Sequence, residues 1–395
     1  MADAPTVRER TMKIKEVILR AVSRELTWIQ AADILGMSAR TMRRWKGKFE
    51  YAGMEGLVDG RTRGHRSPRR VRRDELEPLL RLYRTRYQGL NVRHFCSIAR
   101  REHGLVWSYS FVRQALQAAG LVKKRRPRGR HRLRRPPREC FGEMLHLDGS
   151  LHAWLALEPG ARQCLIAVVD DATRQLLYAR LCEREGTEPV LAALHAVCSR
   201  YGIPQALYTD RAAWAAHTTR AGAPPERGLP TQVGRALARL GIEHILAFSP
   251  QARGRGERVN RTLQDRLVHE LRLAGIRTNA RANAFLVETF LPRYNAEFAR
   301  PASDPASAFV TAGGAELDQI LCVEEARTVG RDNTVALGGV HLQIPKQRGR
   351  PTCAGLEVLA RRHLDGSHSI WWGRRCLGRF DVRGRLQIET SGAAA

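Results

Sequence analysis

Residues 249–267 read SPQARGRGERVNRTLQDRL. One carboxylate, Glu257, stands among Arg253, Arg255, Arg258 and Arg261. Either Glu257 is half of a set of surface ion pairs, or it holds something that the arginines also attract. A long helix is expected to begin at Glu257 and run to about residue 272. What precedes that helix decides the fold.

Upstream, LHLDGSLHAWL (145–155) alternates like a strand, and CLIAVVDD (164–171) and LLYARLC (176–182) follow as two more apolar strands. Thr187-Glu188-Pro189 opens a helix carrying Leu191, Leu194 and Cys198. ALYTD (206–210) reads as a short strand, TQVGRALARLG (231–241) as a capped helix and IEHILAF (242–248) as a strand. Three strands, helix, strand, helix, strand, helix describes a mixed α/β layer fold over 140–300. Strand ends and helix starts converge on one edge of such a layer, where ligands have room. Three acids occupy those positions: Asp148 in HLDGS, Asp210 at the end of LYTD, and Glu257 at the start of the last helix. Cutting or joining phosphodiesters calls for divalent cations, and hard cations want carboxylate oxygens. The competing acids read differently. Asp170 and Asp171 fit a turn after the second strand, and Asp265, beside Arg261 and Arg266, fits an ion pair. His146 shares the face of Asp148 and fits a packed core histidine.

The charge balance points the same way. Of 395 residues, 67 are Lys or Arg and 39 are Asp or Glu, a formal charge of +28. That excess makes a polyanion the first partner to expect. With 43% hydrophobic residues the chain can bury real cores. No apolar run long enough to span a bilayer occurs, and the start, MADAPTVRERTMKIKEV, lacks a secretory core, so a cytoplasmic protein is expected. The eight cysteines are scattered without a CxxC pair, which excludes the usual structural zinc patterns.

Residues 1–60 hold a short helix capped by Thr27, a Gly36-Met37-Ser38 turn and the basic helix ARTMRRWKGKF. That is the helix-turn-helix pattern. Arg40, Thr41, Arg43, Arg44 and Lys46 are expected to face DNA, with Met42, Trp45 and Phe49 inward. A basic linker, 61–73, leads to a second helix-turn-helix-like module, 74–122, with helices capped by Asp74, Asn91 and Ser108 or Ser110. Its base-reading candidates are Arg113 and Gln114, and a plain helical spacer is the competing reading. A second basic linker, 123–139, offers Lys123, Lys124, Arg125, Arg126, Arg128 and Arg130 to phosphates. Residues 320–390 are Gly-punctuated and β-rich, as a small barrel or sandwich would be. There PKQRGRP (345–351), Trp371 and Trp372 either touch nucleic acid or are surface loop and core.

HLDGS, VVDDATR, LYTDR, TQVGRALARLGIEHI and SPQARGRGERVNRTLQDRL, with the N-terminal modules, resemble the DDE transposases, and among them the ISNCY-group insertion-sequence enzymes. The resemblance reaches to about residue 310. It implies a retroviral-integrase-type, RNase H-like catalytic core. It also implies Asp148, Asp210 and Glu257 as catalytic metal ligands for two Mg²⁺ ions, with Mn²⁺ able to substitute. The implied reaction cuts the transposon ends by hydrolysis and then joins the 3′-OH to target DNA. The implied partners are terminal inverted repeats, target DNA and a second copy of the chain, in at least a dimer on paired ends. Arg253, Arg255, Arg258 and Arg261 would neutralise the flanking phosphates. The sequence departs from the compact integrase pattern in its longer Asp210–Glu257 interval, where HTTRAGAPPERGLP (217–230) resembles an inserted loop. Gly256 also weakens the helix start. Two alternatives stay open: a catalytically silent, sequence-specific DNA-binding regulator, and a metal-dependent nuclease without strand transfer.

Overall fold

The computed structural model describes residues 7–57, 71–124, 136–216, 230–247 and 256–387. The chain divides into two compact units, Met1–Thr85 and Arg86–Ala395.

The first unit holds α1 (Val7–Val22), α2 (Trp28–Ile34), α3 (Ala39–Gly56) and α4 (Arg73–Thr85). Thr27 and Gln30 form a reciprocal capping box at the start of α2, and Ser38 Oγ accepts the Thr41 amide at the start of α3. Ile14, Val17, Ile18, Ala31, Ala32 and Met42 make the core, with Trp45 and Phe49 packed against it. Gly53, at φ +58°, kinks α3 near its end. Pro78 lies inside α4, past its first turn, so one intrahelical hydrogen bond is absent there.

The second unit begins with α5 (Val92–His103) and α6 (Tyr109–Ala118), capped by Asn91 and Ser108. The 74–122 span thus divides at Thr85/Arg86, with α4 in one unit and α5 and α6 in the other. Next come β1 (Met144–His152), β2 (Gln163–Asp170), β3 (Leu176–Cys182), α7 (Thr187–Tyr201), β4 (Ala206–Thr209), α8 (Gln232–Leu240), β5 (Glu243–Leu246) and α9 (Gly256–Leu273). The five strands form one sheet in the order β3-β2-β1-β4-β5. β1, β2 and β3 are mutually antiparallel, while β4 lies parallel to β1 and β5 parallel to β4. The sheet is therefore mixed. β2 is buried along its whole length, as a strand covered on both faces must be.

One face carries Leu145, Leu147, Ile166 and Val168 against α7 and α8. The other carries Leu165, Ala167 and Val169 against Leu263, Leu267 and Leu271 of α9. The same core takes in α10 (Asn279–Phe285), a π-helical turn (Leu286–Phe290) and α11 (Leu291–Phe298). These last elements carry no sequence expectation. Asn283 and Asn295 hold them to the edge strand β3 by paired backbone hydrogen bonds at Leu181 and Leu176.

After α12 (Gly314–Ile320) come β6 (Val323–Thr328), β7 (Thr334–Leu337), β8 (Val340–Gln343), β9 (Glu357–Arg362), β10 (His368–Trp372) and β11 (Arg375–Phe380). They form a four-stranded antiparallel sheet, β11-β10-β9-β6, and a hairpin, β7-β8, around one core. RLQIET contributes only a single bridge, Leu386 to Phe380, among the described residues. This β-rich part is tied to the α/β layer at Glu324, which is buried and paired with Arg235, Arg239 and Arg361.

Candidate active site

β1 and β4 run parallel with His146 opposite Tyr208. Two residues further along each chain stand Asp148, still within β1, and Asp210, just past the end of β4. β4 ends at Thr209, and Asp210 is the first residue beyond it. Thr209 is fully buried, and its hydroxyl bonds the Asp210 carbonyl at 2.9 Å and pairs with His244 Nε2 at 2.8 Å. Burial holds His244 below its ordinary pKa, which favours the neutral ring. Asp210 Oδ1 accepts the Ala212 amide at 3.0 Å. That bond closes the turn leaving β4.

α9 crosses the same face. Asn260 Nδ2 donates to Asp148 Oδ2 at 2.7 Å, and Gln264 Nε2 donates to Ser150 Oγ at 3.0 Å. A Cβ at Gly256 would lie 3.6 Å from Asp148 Oδ2, so the first turn of α9 closes over that carboxylate. Glu257 belongs to this first turn, three residues before Asn260. The structure thus brings the helix start that carries Glu257 to Asp148, and puts Asp210 just beyond the end of the strand paired with β1. Among the described residues no three His, Cys, Asp or Glu side chains gather into a metal-holding group. Asp148 and Asp210 both offer carboxylate oxygens, the donor type that a hard divalent cation takes.

Asn260 and Gln264 carried no sequence expectation. Their signal was the helical spacing, Asn260 three residues beyond Glu257 and Gln264 four beyond Asn260, which puts all three positions on one stripe.

The competing acids are structural. Asp170 is fully buried and accepts from the Gly142 amide and from the amide and hydroxyl of Thr173. Burial raises its pKa above the usual carboxylate range, against the pull of those donors. Asp171 pairs with His146 Nε2 at 2.7 Å and accepts the Arg138 amide at 2.8 Å. These contacts pin the strand that enters the sheet. Asp265 accepts from Asn91 Nδ2 on the α5 side rather than belonging to the acid pair on the sheet.

Of the candidate DNA-contacting residues, Arg40, Arg43, Arg44, Arg113, Gln114, Lys123, Lys124, Arg258 and Arg261 are exposed. Thr41 is half-buried against Ser38, and Lys46 lies over the Trp28 ring at 4.9 Å and pairs with Glu50. Those contacts leave Thr41 and Lys46 less available than the arginines of α3. Tyr109 has the guanidinium groups of Arg93 and Arg113 at 5.4 and 5.9 Å from its ring. Exposed Trp372 has Arg350 over its ring at 4.9 Å, while Trp371 is half-buried beside Arg361. Arg125, Arg126, Arg128, Arg130, Arg253 and Arg255 lie outside the described residues, as do the SPQ stretch and most of the 217–230 insertion.

Residues 7–85 match the family model described as the leucine zipper of insertion element IS481. Over 366 residues the chain is 32% identical to a putative transposase, y4bF, of Sinorhizobium fredii, an alignment covering 92% of this chain and 79% of that protein. Over 321 residues it is 27% identical to the transposase for insertion sequence IS1202 of Streptococcus pneumoniae, covering 72% of this chain and 68% of that one. A simian T-cell lymphotropic virus intasome in complex with PP2A regulatory subunit B56 gamma aligns at a TM-score of 0.33 and 13% identity, over 75% of this chain and 94% of that one. The Mos1 strand transfer complex aligns at 0.27 and 14% identity, over 75% of this chain and 93% of that one. Structural likeness this loose carries no weight beside the two transposase alignments.

Proposed function

The chain belongs to the transposase family, and we propose that it is a DDE enzyme that cleaves transposon ends and joins them to target DNA at a site built from Asp148, Asp210 and Glu257. The observation that carries this reading is the parallel β1–β4 register, His146 opposite Tyr208, with Asp148 and Asp210 two residues further along each chain and the first turn of α9 over Asp148. The strand order β3-β2-β1-β4-β5, with three antiparallel strands followed by two parallel ones, supports an RNase H-like core.

The donor chemistry fits Mg²⁺. Bound there, it would neutralise charge developing on phosphorus and activate the attacking oxygen. The protein's own part is placement. Thr209 and the Ala212 amide fix the end of β4, and Asn260 orients the Asp148 carboxylate, so the acids are held in position before DNA arrives. Arg258 and Arg261, exposed beside that turn, are placed to hold phosphates flanking the scissile bond. Reading of the ends falls to α3 and to the α5–α6 pair, where Arg113 and Gln114 are exposed. The reaction joins two ends, so the working form is at least a dimer on DNA.

The test is incubation with DNA carrying the element's terminal repeats, with Mg²⁺ and with EDTA. Joined products that require both the metal and intact Asp148, Asp210 and Glu257 are expected. Cleavage without joining would favour a nuclease, and end binding with neither would favour a silent regulator.

A further inference from the structure

Glu185 is placed in no part of the mechanism above, yet it touches both the strand that carries Asp148 and the turn that follows Asp210. It belongs to the loop joining β3 to α7 and is half-buried. A Cβ built on Gly149, the residue that follows Asp148, would meet the Glu185 carboxyl carbon at 2.5 Å and both its oxygens at 2.7 Å. Gly149 does not have a left-handed φ, so glycine is needed here for space, not for backbone freedom. The same carboxylate accepts from Trp214 Nε1 at 2.6 Å. Trp214 is buried in the core on the α7 face, at the end of the turn that Asp210 opens and caps through the Ala212 amide. Ala215 and Ala216 bond back to the Ala212 carbonyl, so that turn is closed on itself. One carboxylate therefore packs flat on the backbone carrying Asp148 and grips the turn carrying Asp210. It does so from the sheet face opposite α9.

We propose that Glu185 is a positioning residue, which through Gly149 and Trp214 fixes the separation of Asp148 and Asp210 and so sets metal affinity. This rests on the reading of Asp148 and Asp210 as metal ligands. It also goes beyond that reading, because Glu185 acts through backbone packing and an indole, not by touching metal or DNA.

The experiment measures Mn²⁺ affinity of the full-length protein by electron paramagnetic resonance, alongside cleavage. The variants are Glu185→Ala, Glu185→Gln, Trp214→Phe, the Glu185→Ala/Trp214→Phe pair, and Asp148→Asn as control. Removing an outer contact to a metal ligand costs roughly 10- to 100-fold in affinity. Glu185→Ala and Trp214→Phe are each expected to weaken Mn²⁺ binding by about tenfold, the lower end of that range, and the double variant by no more than Glu185→Ala alone. Glu185→Gln keeps both the volume against Gly149 and an oxygen for the indole, and is expected to restore near-parental affinity. Matching thermal melts for the Gln and Ala variants would assign the loss to placement rather than to unfolding. Loss in the Gln variant equal to that in the Ala variant would overturn the proposal, since it would make the charge itself the active feature. So would additive effects in the double variant. Unchanged affinity in Glu185→Ala, with binding lost in Asp148→Asn, sinks this inference alone. Unchanged affinity in Asp148→Asn removes the metal reading and this inference together.

Discussion

The two halves of α9 share a composition and differ in fate. In the first half, Asn260 turns to Asp148 while Arg258 and Arg261 stay exposed. In the second half three charges are taken up. Asp265 takes Asn91, Glu270 takes His94 at 3.1 Å, and Arg266 forks onto Glu297 at 2.6 and 2.7 Å with Phe298 4.5 Å from its guanidinium. The difference follows from what packs on each half. The second half is roofed by α5 and α11, and a buried charge without a partner is costly, so Arg266 and Glu270 are paired there. The first half faces the open edge of the sheet, where nothing among the described residues competes for the arginines. A row of arginines that looks uniform in sequence thus divides into one structural clamp and two residues available to phosphate.

The largest effect expected from breaking this contrast comes at the tip. Asp148→Asn should reduce cleavage and joining to background while leaving the affinity for end DNA unchanged in a gel-shift titration. Residual cleavage above background in that variant would remove Asp148 from the site. In the roofed half, Arg266→Ala should destabilise the fold by about 2 kcal/mol, because it removes a buried guanidinium with its two charged hydrogen bonds to Glu297. The denaturant midpoint measures that loss. The same pair has a pH signature. Burial alone would raise the Glu297 carboxyl, but Arg266 and Ser97 outweigh it and hold it below the usual carboxylate range. A depressed folded-state pKa contributes stability that is present above the unfolded value, about 4.3, and is lost as pH falls through the folded value. The parental protein should therefore lose stability more steeply than Arg266→Ala as pH falls below about 4. Parallel stability curves for the two proteins would contradict this.

A smaller effect is expected at the roof itself. Asn91 both caps α5 through the His94 amide, at 2.8 Å, and donates to Asp265. Asn91→Ala should cost about 1 to 2 kcal/mol, the lost cap with the lost contact, whereas Asn91→Asp should keep the cap and set two carboxylates face to face. Thermal melts at low and high salt separate the two, since only the Asp variant should recover as salt screens its repulsion.

Much of this was legible in the sequence because the periodicity was clear. The run of three strands and alternating helices from 144 to 273 follows the apolar pattern closely, and Thr27, Asn91 and Ser108 cap the helices they precede. Bringing the strands of Asp148 and Asp210 together needed register as well as pattern, and the parallel β1–β4 ladder makes those strands neighbours. What stayed hidden depends on tertiary partners. Nothing local in VRHFCSIARREH says that α5 would lie on α9, because its buried His94 and Asn91 find partners some 175 residues away. Glu185 reads as one acid in CEREG, and only the space at Gly149 gives it a place. The fate of Asp265 and Arg266 was likewise unreadable, since two neighbours of opposite charge suggest each other and the fold gives each a different partner.

The smallest expected effect tests the contrast most directly. Arg261 is exposed and directly follows Asn260, pointing away from Asp148's face, so its removal costs the fold little. Arg261→Ala should leave the denaturant midpoint within about 0.5 kcal/mol of the parent, in contrast to Arg266→Ala on the same helix. If Arg261 neutralises one phosphate, its loss should flatten the dependence of log affinity on log salt by about 0.9. Arg266, whose charge is spent on Glu297, should leave that slope unchanged under conditions where the variant stays folded. The two slopes, measured on one DNA duplex between low and moderate salt, decide whether α9 is divided as described. Equal slopes for the two variants would mean that burial does not sort these arginines, and the division of α9 into clamp and phosphate contact would fail.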